Sequence, residues 1–254
     1  MSEDPLIFTP MDLLHYEARC RGLDEKYFRV PDRMIILYQD TSFRYARRLL
    51  RGRILDWFFG DANPVCVGVV DGEEIGVSRI MVGAPAAASV LEMLIACGAE
   101  KVYEAGVAGS LQPWLGPGEI VVVTDAFRDE GTSNHYFEPE IGMSSSPNLR
   151  DLLIQSLNRN EIKHQIGPVW TTDGVFRETR GKLQRFRGRG ALAVNMETSA
   201  LFAVAKHHNI DVASAQVISD VLSEQGWRPA LKDPKVSESL RTLVKLMTRV
   251  LAEP

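Results

Sequence analysis

Two carboxylates stand where the sequence changes character. Glu197 lies in ALAVNMETSAL (residues 191–201), where the apolar run Ala191–Val194 passes without a turn signal into helical spacing. Glu197, Leu201 and Val204 fall at intervals of four and three, so they share a helix face, and Leu201 and Val204 make it a packing face. A carboxylate at the near end of such a stripe, beside Asn195 and Met196, has two readings. It faces a ligand, or it is a first-turn acid favoured by the helix dipole with Asn195 as the cap. Asp220, in VISDVL, stands just beyond an apolar strand. Raised in pKa by burial, it could give a proton to a leaving group; otherwise it caps a helix or closes a turn.

Gly106-Val107-Ala108-Gly109-Ser110 reads as a glycine-rich turn after a strand. Its amides could surround an anion or a sugar hydroxyl, with tight-turn packing as the alternative. It has neither the Lys-Ser/Thr ending of a P-loop nor the GxGxxG spacing of a dinucleotide fingerprint. The polar run Arg128–Tyr136 is a cleft wall or a surface loop, and Phe176 and Trp227 are flat surfaces for an aromatic ligand or core rings. Residues 177–189 carry six basic side chains against the single acid Glu178, a face for an anion, a partner subunit or water.

These residues need a scaffold, and 254 residues with 45% hydrophobic and 24% charged side chains suffice for one core in a single domain, 1–254. A net charge of −4 argues against a nucleic-acid surface. No apolar stretch approaches the roughly 20 residues of a membrane span. Cys20, Cys66 and Cys97 lack CxxC spacing and read as cytoplasmic thiols, and the five histidines show no metal-binding pattern. No metal is expected.

Along the chain, residues 1–33 read as an arm or lead-in. Strands are expected at Met34–Tyr38, Val65–Val70, Glu74–Val82, Lys101–Glu104, Glu119–Thr124, Gly167–Thr172 and Val212–Ile218. Helices fall at Phe43–Leu50, from Pro85 to Gly98, at Leu149–Asn158, from Glu197 onward and from about Ser237 to Leu251. The alternation is α/β, with helices on both faces of a largely parallel sheet and functional groups at strand ends.

GVAGSLQPWLGPGEIVVVTDAFRDEGTSNHY, then TTDGVFRE, VNMETSALFAVA and VISD, in that order, resemble the nucleoside phosphorylase and nucleosidase superfamily, the uridine phosphorylase branch above all. The resemblance covers about residues 32–250. It implies a single three-layer α/β/α domain around a mixed, twisted sheet. It also implies cleavage of a nucleoside N-glycosidic bond, no cofactor, and a homo-oligomer (dimer, trimer of dimers or hexamer). It places Glu197 on the ribose hydroxyls, with Met196 under the sugar and Asn195 at a position that is often acidic. Asp220 matches the acid that purine-specific members set against the base, and Phe176 the base pocket.

The departures gather at the phosphate site. The resemblance puts Gln39 and Phe43 where the family has glycine and arginine, with Arg44 one residue away. Glu104 stands where a second arginine is expected and Val107 where a threonine often contacts phosphate. No third arginine is evident in residues 55–70. A glutamate in place of an arginine reverses the charge beside a dianion, so water is the acceptor most easily reconciled with the pocket, and Glu104 is a candidate to orient or deprotonate it. A structural acid paired with an arginine is the alternative for Glu104. Orthophosphate enters as co-substrate only for a phosphorylase with a rearranged anion site, in which Arg79 or Arg44 compensates. Another N-ribosyl chemistry and a non-catalytic nucleoside-binding relative complete the readings.

Overall fold

A strand that is apolar on successive residues must be covered on both faces, and MIIL is such a strand. The computed structural model describes residues 5–57 and 62–253. The expected lead-in contains α1 (Pro10–Arg21), opened by a capping box between Thr9 and Asp12. Its Leu14 and Ala18 belong to the core. Residues 1–4 of the lead-in, and 58–61 of the stretch searched for a third arginine, lie outside the described residues.

The chain continues through β1 (Arg33–Leu37), α2 (Asp40–Leu50), β2 (Arg53–Ile54), β3 (Val65–Val70), β4 (Glu73–Arg79) and α3 (Ala84–Ala96). Then come β5 (Lys101–Ser110), β6 (Ile120–Asp129), β7 (Met143–Ser144), α4 (Pro147–Arg159), β8 (His164–Thr172) and α5 (Arg180–Gly188). β9 (Ala193–Asn195), α6 (Thr198–His208), β10 (Asp211–Ser223), β11 (Gly226–Pro229) and α7 (Pro234–Ala252) complete it. β3 and β4 form an antiparallel hairpin through Asp71 and Gly72, whose φ values of 52° and 90° are those a tight two-residue turn requires.

The eleven strands among the described residues join one mixed sheet, in the order β11-β10-β6-β8-β9-β5-β1-β4-β3-β2, with β7 on β6. β10 also pairs with β5 along Asp211–Val221. The strands β10, β6, β8, β9 and β5 therefore close into a ring, and β1 to β4 extend it as an open wing. Met34 and Ile36 face a core formed with α1, α3 and α6, while Ile35 and Leu37 face one formed with α2, α4 and α7. This is the expected α/β/α layering with a mixed sheet.

Two expectations fail where glycine and a carboxylate suggested turns. Gly106–Ser110 is the second half of β5, not a turn. A Cβ on Gly109 would lie 2.4 Å from Leu222 Cδ1 and 3.0 Å from Asp220 Oδ2, and one on Gly106 would lie 2.7 Å from the Gln216 amide oxygen. Glycine here permits close approach between neighbouring strands rather than a reversal. Asp220 is likewise no cap or turn residue. It sits within β10 at an irregularity in its pairing with β5, facing the hairpin partner β11.

Candidate active site

The ring and the first turn of α6 meet around a cavity of about 460 Å³, a volume suited to a small organic ligand. Glu197, Met196 and Asn195 line it from the β9–α6 junction, Asp220 and Ser219 from β10, and Val107 and Gly109 from β5. Tyr38 and Gln39, after β1, and Phe176 and Glu178, before α5, complete its polar and aromatic wall with Trp227 of β11.

Glu197 occupies the N-cap position of α6, one residue ahead of the helix, so it does not share the face of Leu201 and Val204. Asn195 is not the cap. It ends β9, accepts from Thr171 Oγ1 at 3.0 Å and donates to Thr198 Oγ1. The Glu197 carboxylate is gripped by two backbone amides, Gly83 N–H at 2.8 Å and Met196 N–H at 3.1 Å. Gly83 is itself the N-cap of α3, so two helix N-termini converge on this acid. Burial and the nearby Glu104 charge nevertheless outweigh the amides and push Glu197 up to about 8.

Glu104 is fully buried under the site and is not part of the cavity wall. Tyr38 Oη donates to one of its oxygens and Thr198 Oγ1 to the other, each at 2.7 Å. Ser214 and Gln216 add further hydrogen bonds, while burial holds the carboxyl above its usual range. The acid is thus satisfied by hydroxyls and an amide, not by the arginine that a structural reading of the sequence supplied. Through Thr198 and Tyr38 it braces both the helix that carries Glu197 and a ring of the cavity wall.

Asp220 accepts on both oxygens, from Ser219 Oγ at 2.7 Å and from Trp227 Nε1 at 2.8 Å. Glu178, read in the sequence only as the one acid in a basic stretch, joins the same wall. Burial first, then the charge of Asp220, raise it to about 7 against the pull of Lys182. Phe176 is 96% exposed and Trp227 59% exposed at the mouth. The hydroxyls of Tyr38 and Ser219 and the indole N–H of Trp227 are all committed to protein carboxylates. Among the described residues no lysine or arginine side chain lines the cavity.

The remaining candidates lie apart. Arg79 and Arg44 reach Asp40 at 3.3 and 3.6 Å, one residue from Gln39, and neither lines the cavity. The basic stretch serves mainly to seat α5. Lys182 meets Asp129 at 2.7 Å, Arg187 donates to Leu111 O, and Arg189 lies over the Phe127 ring. The run Arg128–Tyr136 does not line the cavity either; Arg128 ties it to Ser133, Asn134 and three backbone carbonyls, and buried Glu130 ties it to Ser199. Sequence reasoning missed Glu178 and the Gly83 amide. The first was masked by its basic neighbours, the second left no side-chain signal.

Comparison with known proteins gives one consistent family. The phosphorylase superfamily model matches residues 53–253. Guanosine phosphorylase of Halorubrum lacusprofundi is 24% identical over 180 residues, covering 71% of this chain and 75% of that protein. Uridine phosphorylase from Vibrio fischeri superposes with a TM-score of 0.79 at 24% identity, over 89% of this chain and 93% of that one. Purine nucleoside phosphorylase from Toxoplasma gondii, solved with immucillin-H, superposes with a TM-score of 0.81 at 18% identity, over 89% and 92%.

Proposed function

The chain belongs to the phosphorylase superfamily, and on that premise we propose that its cavity binds a nucleoside and breaks the N-glycosidic bond, with orthophosphate as acceptor. The observation that carries the reading is that Glu197, Met196, Asp220, Phe176 and Trp227 line one cavity. A carboxylate fixed by two amides keeps lone pairs for two vicinal hydroxyls, which suits a ribose. Met196 offers an apolar surface to the sugar, and the rings at the mouth offer flat surfaces to a base. As the C1′–N bond lengthens the sugar gains positive charge, and the carboxylate of Glu197 stabilises it where it forms.

Phosphate as acceptor is supported by the activity named for the Halorubrum relative. Its entry belongs at the Gln39 end, where Asp40 holds Arg79 and Arg44 together; an anion there would draw these cations from Asp40. A second reading, hydrolysis, is favoured by one observation, the lack of any lysine or arginine in the cavity wall. Three unpaired thiols support a reducing, cytoplasmic setting. The exposed apolar rim of Val82, Phe176 and Leu231 supports a homo-oligomer.

The test is a nucleoside panel incubated with pure protein, with and without phosphate, and resolved by chromatography. Ribose 1-phosphate formed only with phosphate is the expected result. Free ribose formed without phosphate would replace it with hydrolysis, and no free base under either condition would overturn both readings.

A further inference from the structure

From the hydrogen-bonding inventory of the cavity we infer that its substrate is a nucleoside whose base is a cationic heterocycle, such as an N-alkylated purine or a pyridinium. The inference rests on the reading that this site cleaves N-ribosyl bonds, and it names the substrate class.

The argument begins with what the wall can offer. Among the described residues its ionisable side chains are Glu178, Glu197 and Asp220, all acids, and a bound cation would favour the ionised form of each. Its single-hydrogen donors, on Tyr38, Ser219 and Trp227, already serve carboxylates. Gln39 adds a side-chain amide, which can accept and donate and so does not offset the acids. The cavity thus presents acceptors in excess, and a neutral base with several acceptors of its own would leave them unmatched, at a cost that a buried polar group makes appreciable. A positive ring matches them. The faces of Phe176 and Trp227 at the mouth add attraction for a flat cation. Burial first, then Asp220, push Glu178 up to about 7 against the pull of Lys182, so a cation in the cavity would favour its ionised form.

The chemistry agrees. Asp220 accepts on both oxygens and has no hydrogen to give in this arrangement. A neutral base departs as an anion unless it is protonated. A cationic base takes the electron pair of the breaking C1′–N bond and leaves as a neutral heterocycle, so no proton need reach it. C1′ bonds to an oxygen of orthophosphate, and ribose 1-phosphate is the second product.

The experiment compares kcat/KM for 7-methylguanosine and guanosine, and follows a pyridinium riboside whose charge does not depend on pH. Quenching of tryptophan fluorescence reports binding of the same ligands. The expected result is at least tenfold preference for 7-methylguanosine, cleavage of the pyridinium riboside, and a preference narrowed about tenfold in Glu178→Gln. Guanosine cleaved as well as its methylated form would overturn the inference and leave the proposed function standing. If no nucleoside is cleaved, the proposed function fails. Fluorescence then decides the inference alone: tighter binding of the cation supports it, and equal binding overturns it.

Discussion

Replacing Glu197 with glutamine should remove the pH dependence of stability that this site contributes. The wild-type carboxyl is raised from 4.5 to about 8 in the folded protein, by burial first and by Glu104 second. Between those values the folded state holds a proton that the unfolded state has released, so stability falls as pH rises. Its contribution is fully present below the unfolded value and gone above the folded one. A shift of roughly 3.5 units at 1.36 kcal/mol each amounts to about 5 kcal/mol across the window. Glutamine keeps the size, accepts from Gly83 N–H and does not titrate. Its amide nitrogen faces Met196 N–H, which removes one hydrogen bond and costs about 1 kcal/mol at every pH. The two stability profiles must therefore cross, between about pH 5 and 6, where the linkage loss equals that fixed cost. Above the crossing the variant is the more stable, by about 3–4 kcal/mol at pH 9, or roughly 10 °C in Tm for a chain of this size. Glu104 is held above its usual range by burial in both proteins, so the difference between them reports Glu197 together with its coupling to Glu104. Differential scanning fluorimetry from pH 5 to 9 measures it. Parallel profiles, or a variant less stable throughout, would refute the account of why this acid is raised.

Four other outcomes follow from the same geometry. A neutral nucleoside bound at pH 7 should release close to one proton, because ribose hydroxyls favour the ionised form of Glu197; calorimetry in buffers of different ionisation enthalpy reads this, and the effect should vanish at pH 9. Tyr38→Phe removes one of the donors to fully buried Glu104 and should cost about 1–3 kcal/mol in urea unfolding. Glu104→Gln should keep measurable turnover, since Glu104 does not line the cavity, and its complete loss in a protein of unchanged Tm would restore Glu104 as a catalytic base. Gly109→Ala should shift Trp227 fluorescence and lower stability by about 1–3 kcal/mol, because its Cβ presses on Leu222 and on the carboxylate that Trp227 holds.

What the sequence made legible is what local spacing encodes. Apolar runs located strands of both the ring and the wing, because that signal is carried by neighbouring residues. Glu197, Met196, Asn195, Phe176 and Asp220 stand out in the sequence, and all five line the cavity. Long-range demands were misread. Gly106 and Gly109 are glycines because β10 crosses them closely, a reason that depends on residues more than a hundred positions away. Glu104 suggested an arginine partner or a water, since a buried acid among hydroxyls leaves no pattern along the chain. β11 was absent from the sequence reading because its four residues show no alternation, and Asp220 looked like a strand terminus only because its strand continues past an irregularity.

The closed ring of strands has a bearing on how the chain is made. β5 and β6 emerge from the ribosome early, but the strand that bridges them, β10, begins only at Asp211. Until then a nascent chain carries two long apolar strand edges with no partner, a template for pairing with other chains. The cavity shares this timing, because Asp220 and its Trp227 donor arrive with the last strands. A polypeptide halted before them is both sticky and inert, and quality control in the cell meets the two defects together.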